Sequence, residues 1–238
     1  MPDKQPPPKP VTDIWKPELV RLPRLTGARL AFRKFSHGLI KLVARACLRV
    51  TKEGLENIPD RGPLLIVINH LGDADVPALI SSLPFTPDAL AKIELRDLPI
   101  LGRLMDMYGV IWLHRGKPDK RALRAALDGL AEGRRLVIAP EGRYSLTGSL
   151  EDGANGAAFL AYKSGAAILP IAITGTENET VYSRIKRFER ARVHIRVGKT
   201  FRLEEQASAR REAVNGGTKR IMAEIRSLLP ERYRGRES

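Results

Sequence analysis

The stretch Ile68-Asn69-His70-Leu71-Gly72-Asp73-Ala74-Asp75 places an imidazole and two carboxylates just beyond an apolar run, Leu64 to Ile68, and ahead of a helix expected to begin near Val76 or Pro77. A histidine at the end of a buried strand is held rigidly by the scaffold yet faces the loop. With a carboxylate to fix its tautomer and stabilise the imidazolium, it is the minimal equipment for general-base chemistry near neutral pH. Asp75 is the preferred orienting group and Asp73 the competitor. The same spacing also describes a carboxylate capping a helix N-terminus beside an incidental histidine. No other His or Cys stands nearby to suggest a metal site. His114 and His194 read as surface or core residues.

Val137-Ile138-Ala139-Pro140-Glu141-Gly142-Arg143-Tyr144-Ser145 repeats the pattern of apolar strand followed by polar turn. Gly142 lets the backbone turn sharply, and Arg143 offers a planar fork suited to a phosphate. Taken alone, Glu-Gly-Arg is equally a surface turn with an internal ion pair. The segment Gly109 to Arg115 brings Arg115 to the edge of a further short strand. Pro170 lies inside the apolar run Ile168 to Ala172, and its missing N–H predicts an edge strand or a bulge there.

The elements that must position these groups alternate along the chain. Apolar runs of strand length fall at Pro63 to Asn69, Gly109 to Leu113, Arg135 to Ala139, Ala167 to Ile173 and Arg192 to Val197. Helical spacing marks Pro118 to Glu132, Gly153 to Ser164 and Gln206 to Leu229. That alternation predicts an α/β sheet covered by helices, with chemistry at loops beyond strand ends. Ahead of it, residues 1–28 form an irregular arm, with seven of the 17 prolines before residue 24. Residues 29–50 then read as an amphipathic helix in which Arg29, Arg33, His37, Lys41, Arg45 and Arg49 make one basic stripe. Residues 51–230 are the main domain, and 231–238 a frayed basic tail.

The 238 residues carry a formal charge of +14, which calls for an acidic partner. Residues 1–50 hold +8, residues 51–181 hold −3 and residues 182–238 hold +9. Cys47 is the single cysteine, which excludes an intramolecular disulfide and suits a reducing compartment. The start lacks the look of a secretory signal, and the longest charge-free run, Ser164 to Thr176, is too short to span a bilayer as a helix. A nucleic-acid module is disfavoured because the middle is acidic, aromatics are few and no recognised fingerprint occurs.

In this order and spacing the four blocks resemble the glycerolipid acyltransferase family that includes the 1-acylglycerol-3-phosphate acyltransferases. The family's His-x4-Asp block matches His70 to Asp75, its arginine block Gly109 to Arg115, its Glu-Gly block Pro140 to Gly142, and its proline block Leu169 to Ile171. The resemblance implies a mixed β-sheet flanked by helices and acyl transfer from acyl-CoA or acyl-carrier protein to a lipid hydroxyl, most simply that of 1-acylglycerol-3-phosphate. It makes His70 the base and Asp75 its orienting group, with attack on the thioester direct. The substrate-binding residues would be Asn69, Arg115, Glu141, Gly142, Arg143 and Pro170. No metal or cofactor is implied beyond the donor. One departure stands out: the family's Glu-Gly-Thr-Arg-Ser is here Glu141-Gly142-Arg143-Tyr144-Ser145, so the arginine comes one residue early and turns to the other side of an extended segment. The basic ends then suit a cytoplasmic protein held peripherally on an anionic membrane, with the helix at residues 29–50 lying on the surface or docking on the sheet.

Overall fold

The computed structural model describes residues 11–116, 118–204 and 211–235. Its centre is β2 (Leu64–Ile68), in which every side chain is buried. Alternation along the strand sends Leu65 and Val67 to one core and Leu64, Ile66 and Ile68 to the other, so both faces need helical cover. The first face is covered by α4 (Lys120–Ala131), α5 (Gly156–Ser164) and α7 (Arg211–Leu228). The second is covered by α2 (Asp75–Ser82) and α6 (Asn178–Lys186), and by the end of α1 (Gly27–Cys47).

The remaining strands are β1 (Leu48–Glu53), β3 (Asp88–Lys92), β4 (Ile111–Leu113), β5 (Arg135–Ile138), β6 (Ala167–Thr174) and β7 (Ala191–Val197). They form one mixed sheet in the order β1-β7-β6-β2-β5-β3-β4. Strands β2 to β6 run parallel, while β1 and β7 run the other way. The C-terminal ends of β2 to β6 therefore share one edge, where the loops carrying His70, Arg115 and Glu141 emerge. The mixed α/β architecture is the one expected from the alternation of apolar runs.

Several expectations need correction. The helix of residues 29–50 stops at Cys47, and Leu48-Arg49-Val50-Thr51 becomes the start of β1, paired with β7 from Ala191 onward. The six basic residues do not make one stripe. At about 100° per residue, each step of four overshoots a turn by about 40°, so Arg45 lies about 160° round from Arg29. Arg33 points inward and is 2% exposed, paired with Asp88 at 2.5 Å. His37 Nε2 meets the Ile80 carbonyl at 2.9 Å, and Arg29 caps the end of α3 (Leu101–Tyr108) through the Asp106 and Met107 carbonyls. Lys34, Lys41 and Arg45 face out, among exposed Leu30, Phe35, Leu39, Leu42 and Val43.

Of the two places expected for Pro170, an edge strand or a bulge, the structure shows the second: between the Ile171–Val197 and Ile168–Phe201 pairings the chain facing β6 carries one extra residue. β6 sits between β2 and β7, with Pro170 opposite Val67. The missing N–H falls where β7 has ended at Val197 and before the bridge between Ile168 and Phe201, so no ladder hydrogen bond is lost; its carbonyl accepts from Gly198. The tail is not frayed as far as Gly235. Tyr233 is buried, its carbonyl accepts from Leu150 N–H, and its hydroxyl donates to Glu177. Residues 1–10, 206–210 and 236–238, parts of the expected arm, last helix and tail, lie outside the described residues. From Val11 onward the arm is irregular apart from one short turn and packs across the end of β4.

Candidate active site

β2 ends at Ile68, and the next residue locks the turn that follows. Asn69 is buried; its amide donates to the Ile173 carbonyl at 2.8 Å and accepts from Ile173 N–H at 2.7 Å, tying the end of β2 to β6. His70 is then fixed through both backbone groups by the loop after β5: its N–H donates to Glu141 at 2.9 Å and its carbonyl accepts from Ser145 N–H at 2.7 Å. Gly72 is required because a Cβ there would sit 2.3 Å from the Thr176 carbonyl oxygen.

Asp75 opens α2 and is wholly buried. Its Oδ2 lies 2.7 Å from His70 Nδ1 and accepts from Leu71 N–H at 2.7 Å and Gly72 N–H at 3.0 Å. Two backbone N–H groups and the imidazole thus converge on one carboxylate oxygen in the first turn of a helix. With Asp75 accepting, the neutral imidazole carries its proton on Nδ1 and leaves the Nε2 lone pair open. That nitrogen makes no hydrogen bond among the described residues, and the side chain is 20% exposed.

A second His-x4-Asp spacing, His114 to Asp119, shows what the spacing looks like without an open face. His114 Nδ1 lies 2.7 Å from Asp119 Oδ2, matching the first pair. Its Nε2, however, accepts Lys16 N–H at 3.1 Å, and the Trp15 ring covers it at 4.5 Å. Asp119 is meanwhile the N-cap of α4, accepting from Arg121 and Ala122 N–H. The helix-cap reading offered for the first pair is the actual arrangement at the second.

The residues expected to bind substrate divide. Glu141 is wholly buried under His70, bridging the His70 and Glu151 N–H groups. Burial pushes its carboxyl up to about 7, with Glu151 and Asp75 adding to the rise. Gly142 makes the turn, at φ 71° and with its N–H to the Ala139 carbonyl. Arg143 points to Glu151, donating from Nε at 3.0 Å and Nη2 at 2.9 Å in a buried pair. Arg115 lies at the end of β4, separated from β2 by β3 and β5, where Glu94 and the arm residue Thr12 hold it. Beside His70 stands Tyr144 instead, its ring centroid 4.3 Å from the imidazole. Its hydroxyl donates to Asp73 at 2.6 Å, and Tyr182 of α6 donates to the other Asp73 oxygen at 2.7 Å. Tyr182 carries no local signal in the sequence, and the sign for Tyr144 is that it stands where the resembled family has arginine.

Among the described residues no cluster of His, Cys, Asp and Glu could hold a metal ion. A rigid His–Asp pair with one open nitrogen, set at the C-terminal edge of a parallel sheet core, has the geometry with which an imidazole can accept a proton. The sequence model of the Acyltransferase family matches residues 49–174, which contain that pair, and this chain belongs to that family. A chloroplastic 1-acyl-sn-glycerol-3-phosphate acyltransferase of Arabidopsis thaliana is 34% identical over 151 residues, covering 60% of this chain and 42% of the relative. A lyso-ornithine lipid O-acyltransferase of Pseudomonas aeruginosa is 35% identical over 115 residues, covering 48% and 44%. The chain thus spans less than half the length of these curated relatives. The crystal structure of the 1-acyl-sn-glycerophosphate acyltransferase PlsC of Thermotoga maritima aligns with a TM-score of 0.62 at 25% identity, covering 87% of this chain and 86% of that one.

Proposed function

We propose that this protein transfers a fatty acyl group from a thioester, acyl-CoA or acyl-carrier protein, to the hydroxyl of a lysophospholipid. The observation that carries this reading is the His70–Asp75 pair with Nε2 open. Nε2 takes the acceptor's hydroxyl proton as its oxygen attacks the thioester carbonyl, and Asp75 stabilises the imidazolium. Collapse of the tetrahedral species breaks the C–S bond, and the imidazolium returns the proton to the departing thiolate. The products are an ester and a free thiol. General-base assistance of this kind supplies ~10²- to 10⁴-fold, so holding the two substrates in line supplies much of the remainder. Asn69, Glu141, Gly142 and Arg143 serve this reaction by building the loops that hold His70.

1-Acylglycerol-3-phosphate is the first acceptor to test, because relatives from Arabidopsis thaliana and Borreliella burgdorferi carry it in their names. The substrates are amphiphiles, and the outward face of α1, with Leu30, Phe35, Leu39, Leu42 and Val43 beside Lys34, Lys41 and Arg45, suits the surface of an anionic membrane that would supply them. Among the described residues no helix is long and apolar enough to cross a membrane.

The test is thiol release from palmitoyl-CoA by the purified protein with a panel of lyso-lipid acceptors. Release should need an acceptor and should fall at least ~100-fold in His70→Ala. Acceptor-dependent release that survives His70→Ala would sink the reading.

A further inference from the structure

The group that faces outward beside His70 is neither an arginine nor a phosphate-binding loop. It is Asp73 with two phenols converging on it. Tyr144 Oη lies 2.6 Å from Asp73 Oδ1 and Tyr182 Oη lies 2.7 Å from Asp73 Oδ2, so four oxygens gather at one point. Both phenol protons are used on the carboxylate. The Asn178 amide hydrogen-bonds the same carboxylate as a third donor, and the lone pairs left over lie on the carboxylate and on both phenols.

The nearest further carboxylate is Asp75, on His70 Nδ1, while Glu151 is balanced by Arg143. In a chain with 41 lysines and arginines, Asp73 has no Lys or Arg nitrogen within ion-pairing distance among the described residues. Burial pulls its carboxyl upward, but the hydrogen bonds from Tyr144, Tyr182 and Asn178, together with His70 nearby, outweigh that and hold it below the ordinary carboxylate value. An incoming phosphate, itself only an acceptor, meets a carboxylate whose neighbouring donors, the two phenols and the Asn178 amide, are already turned to Asp73. Arg115 is three strand positions away, about 14 Å at the usual spacing.

An ammonium is the complementary group. It carries three N–H donors, no acceptor and a positive charge, and it gains both charge-assisted hydrogen bonds and attraction from nearby aromatic rings. We infer that the recess of Asp73, Tyr144 and Tyr182 binds an ammonium on the acceptor's head group, so that the preferred acceptor is a zwitterionic or amine-bearing lyso-lipid. This rests on the proposed acyl transfer and narrows it: the hydroxyl faces His70 Nε2 while the head group's amine sits one tyrosine length away, on Asp73.

The experiment compares lysophosphatidylethanolamine, its N-acetylated form, a lyso-ornithine lipid and lysophosphatidic acid, all in neutral detergent micelles. Wild-type protein, Asp73→Asn and Tyr182→Phe are each assayed for thiol release and, without donor, for equilibrium binding. N-acetylation removes the charge and leaves the rest of the lipid in place. Wild type should favour the free amine over the acetylated lipid by about tenfold, and that ratio should collapse toward one in Asp73→Asn. Preference for lysophosphatidylethanolamine alone, or for lyso-ornithine lipid as well, tells which class of amine the recess accepts. An equal loss for all acceptors in Asp73→Asn would leave Asp73 as a mere support for Tyr144 and overturn the inference, as would a wild-type preference for lysophosphatidic acid. If no acceptor yields thiol, the acyl-transfer reading fails, and the donor-free binding ratio still decides the recess.

Discussion

His70 and His114 differ at Nε2. Both have a carboxylate on Nδ1 at 2.7 Å, and only His114 has its Nε2 closed, by a backbone N–H from an arm 98 residues away. Spacing made the His70–Asp75 pair legible, and it would have nominated His114–Asp119 equally, because no local pattern encodes the Lys16 contact. The same limit explains the substrate-binding residues. Glu141 and Arg143 are polar residues at a strand end, a place where exposure is the default, yet the loop folds back so that Glu141 bridges two N–H groups and Arg143 meets Glu151. The one-residue shift of the arginine was the readable sign, since it turned Arg143 away and set Tyr144 at His70. Glu141 also gives a titration prediction. In an unfolded chain it ionises near pH ~4.3, whereas burial in the fold raises its carboxyl to about 7. The native state therefore binds its proton more tightly over that window, and the stability so conferred is present at low pH and lost as pH rises through about 7. Glu141→Gln cannot titrate. The unfolding midpoint of the variant relative to wild type should climb by a few degrees between pH 5 and pH 8; a flat difference across that range would show that Glu141 is already ionised at the acid end.

At the scale of elements, α1 was readable as a helix and as amphipathic, but not as to which side faces in. Ordinarily the apolar stripe docks and the basic one is solvated. Here the inward positions include Arg33, which reaches Asp88 and the Thr86 carbonyl and lies 4.7 Å from the centroid of the Tyr108 ring. A buried pair like this gives little net stability compared with apolar packing, yet breaking one partner costs about 3–5 kcal/mol. It therefore fixes the helix in one rotation. With Arg33 held inward, Phe35 and Leu42 are each left 65% exposed, and the α3 residues Leu101, Leu104 and Met107 add to the uncovered apolar surface. A face of that kind, rimmed by Lys34, Lys41 and Arg45, should associate with vesicles. Replacing Phe35 and Leu42 together by serine should reduce co-sedimentation with anionic vesicles by at least ~10-fold, since two large side chains contribute about 1.5–3 kcal/mol each when buried. Thiol release with acceptors in detergent micelles should persist in that variant. Undiminished vesicle binding would move the membrane contact elsewhere.

Across the whole molecule, the strand-and-helix alternation fixed the class of architecture, because apolar runs five to eight residues long can be satisfied only inside a sheet covered on both faces. What it left unread were the short or polar elements β1, β3 and α6, whose burial comes from partners distant in sequence, and the paths of the two chain ends. The described residues nearest each end pack back on the sheet. The arm lays Thr12 against Arg115 and Glu94, Lys16 on His114 and Asp97, and Val20 into the interior. The other end brings Tyr233 to Glu177 and to the loop at Leu150. The arm's contacts gather at β4, on the far side of β3 and β5 from His70, so they bear on the edge of the sheet and not on the His70–Asp75 pair. Removing residues 1–18 strips the Lys16 N–H from His114 and the Trp15 ring from its face while leaving Val20 in place. The truncated protein should melt several degrees lower, as ~1–2 kcal/mol of lost packing and hydrogen bonding corresponds to ~2–8 °C in a domain of this size. His114→Ala should lower the melting temperature of the full chain in the same direction, and should do less in the truncated one because the shared contact is already gone. Full additivity of the two changes in melting temperature would mean that the arm does not rest on His114, and an equal collapse of kcat in His114→Ala and His70→Ala would mean that the capped pair takes part in the chemistry.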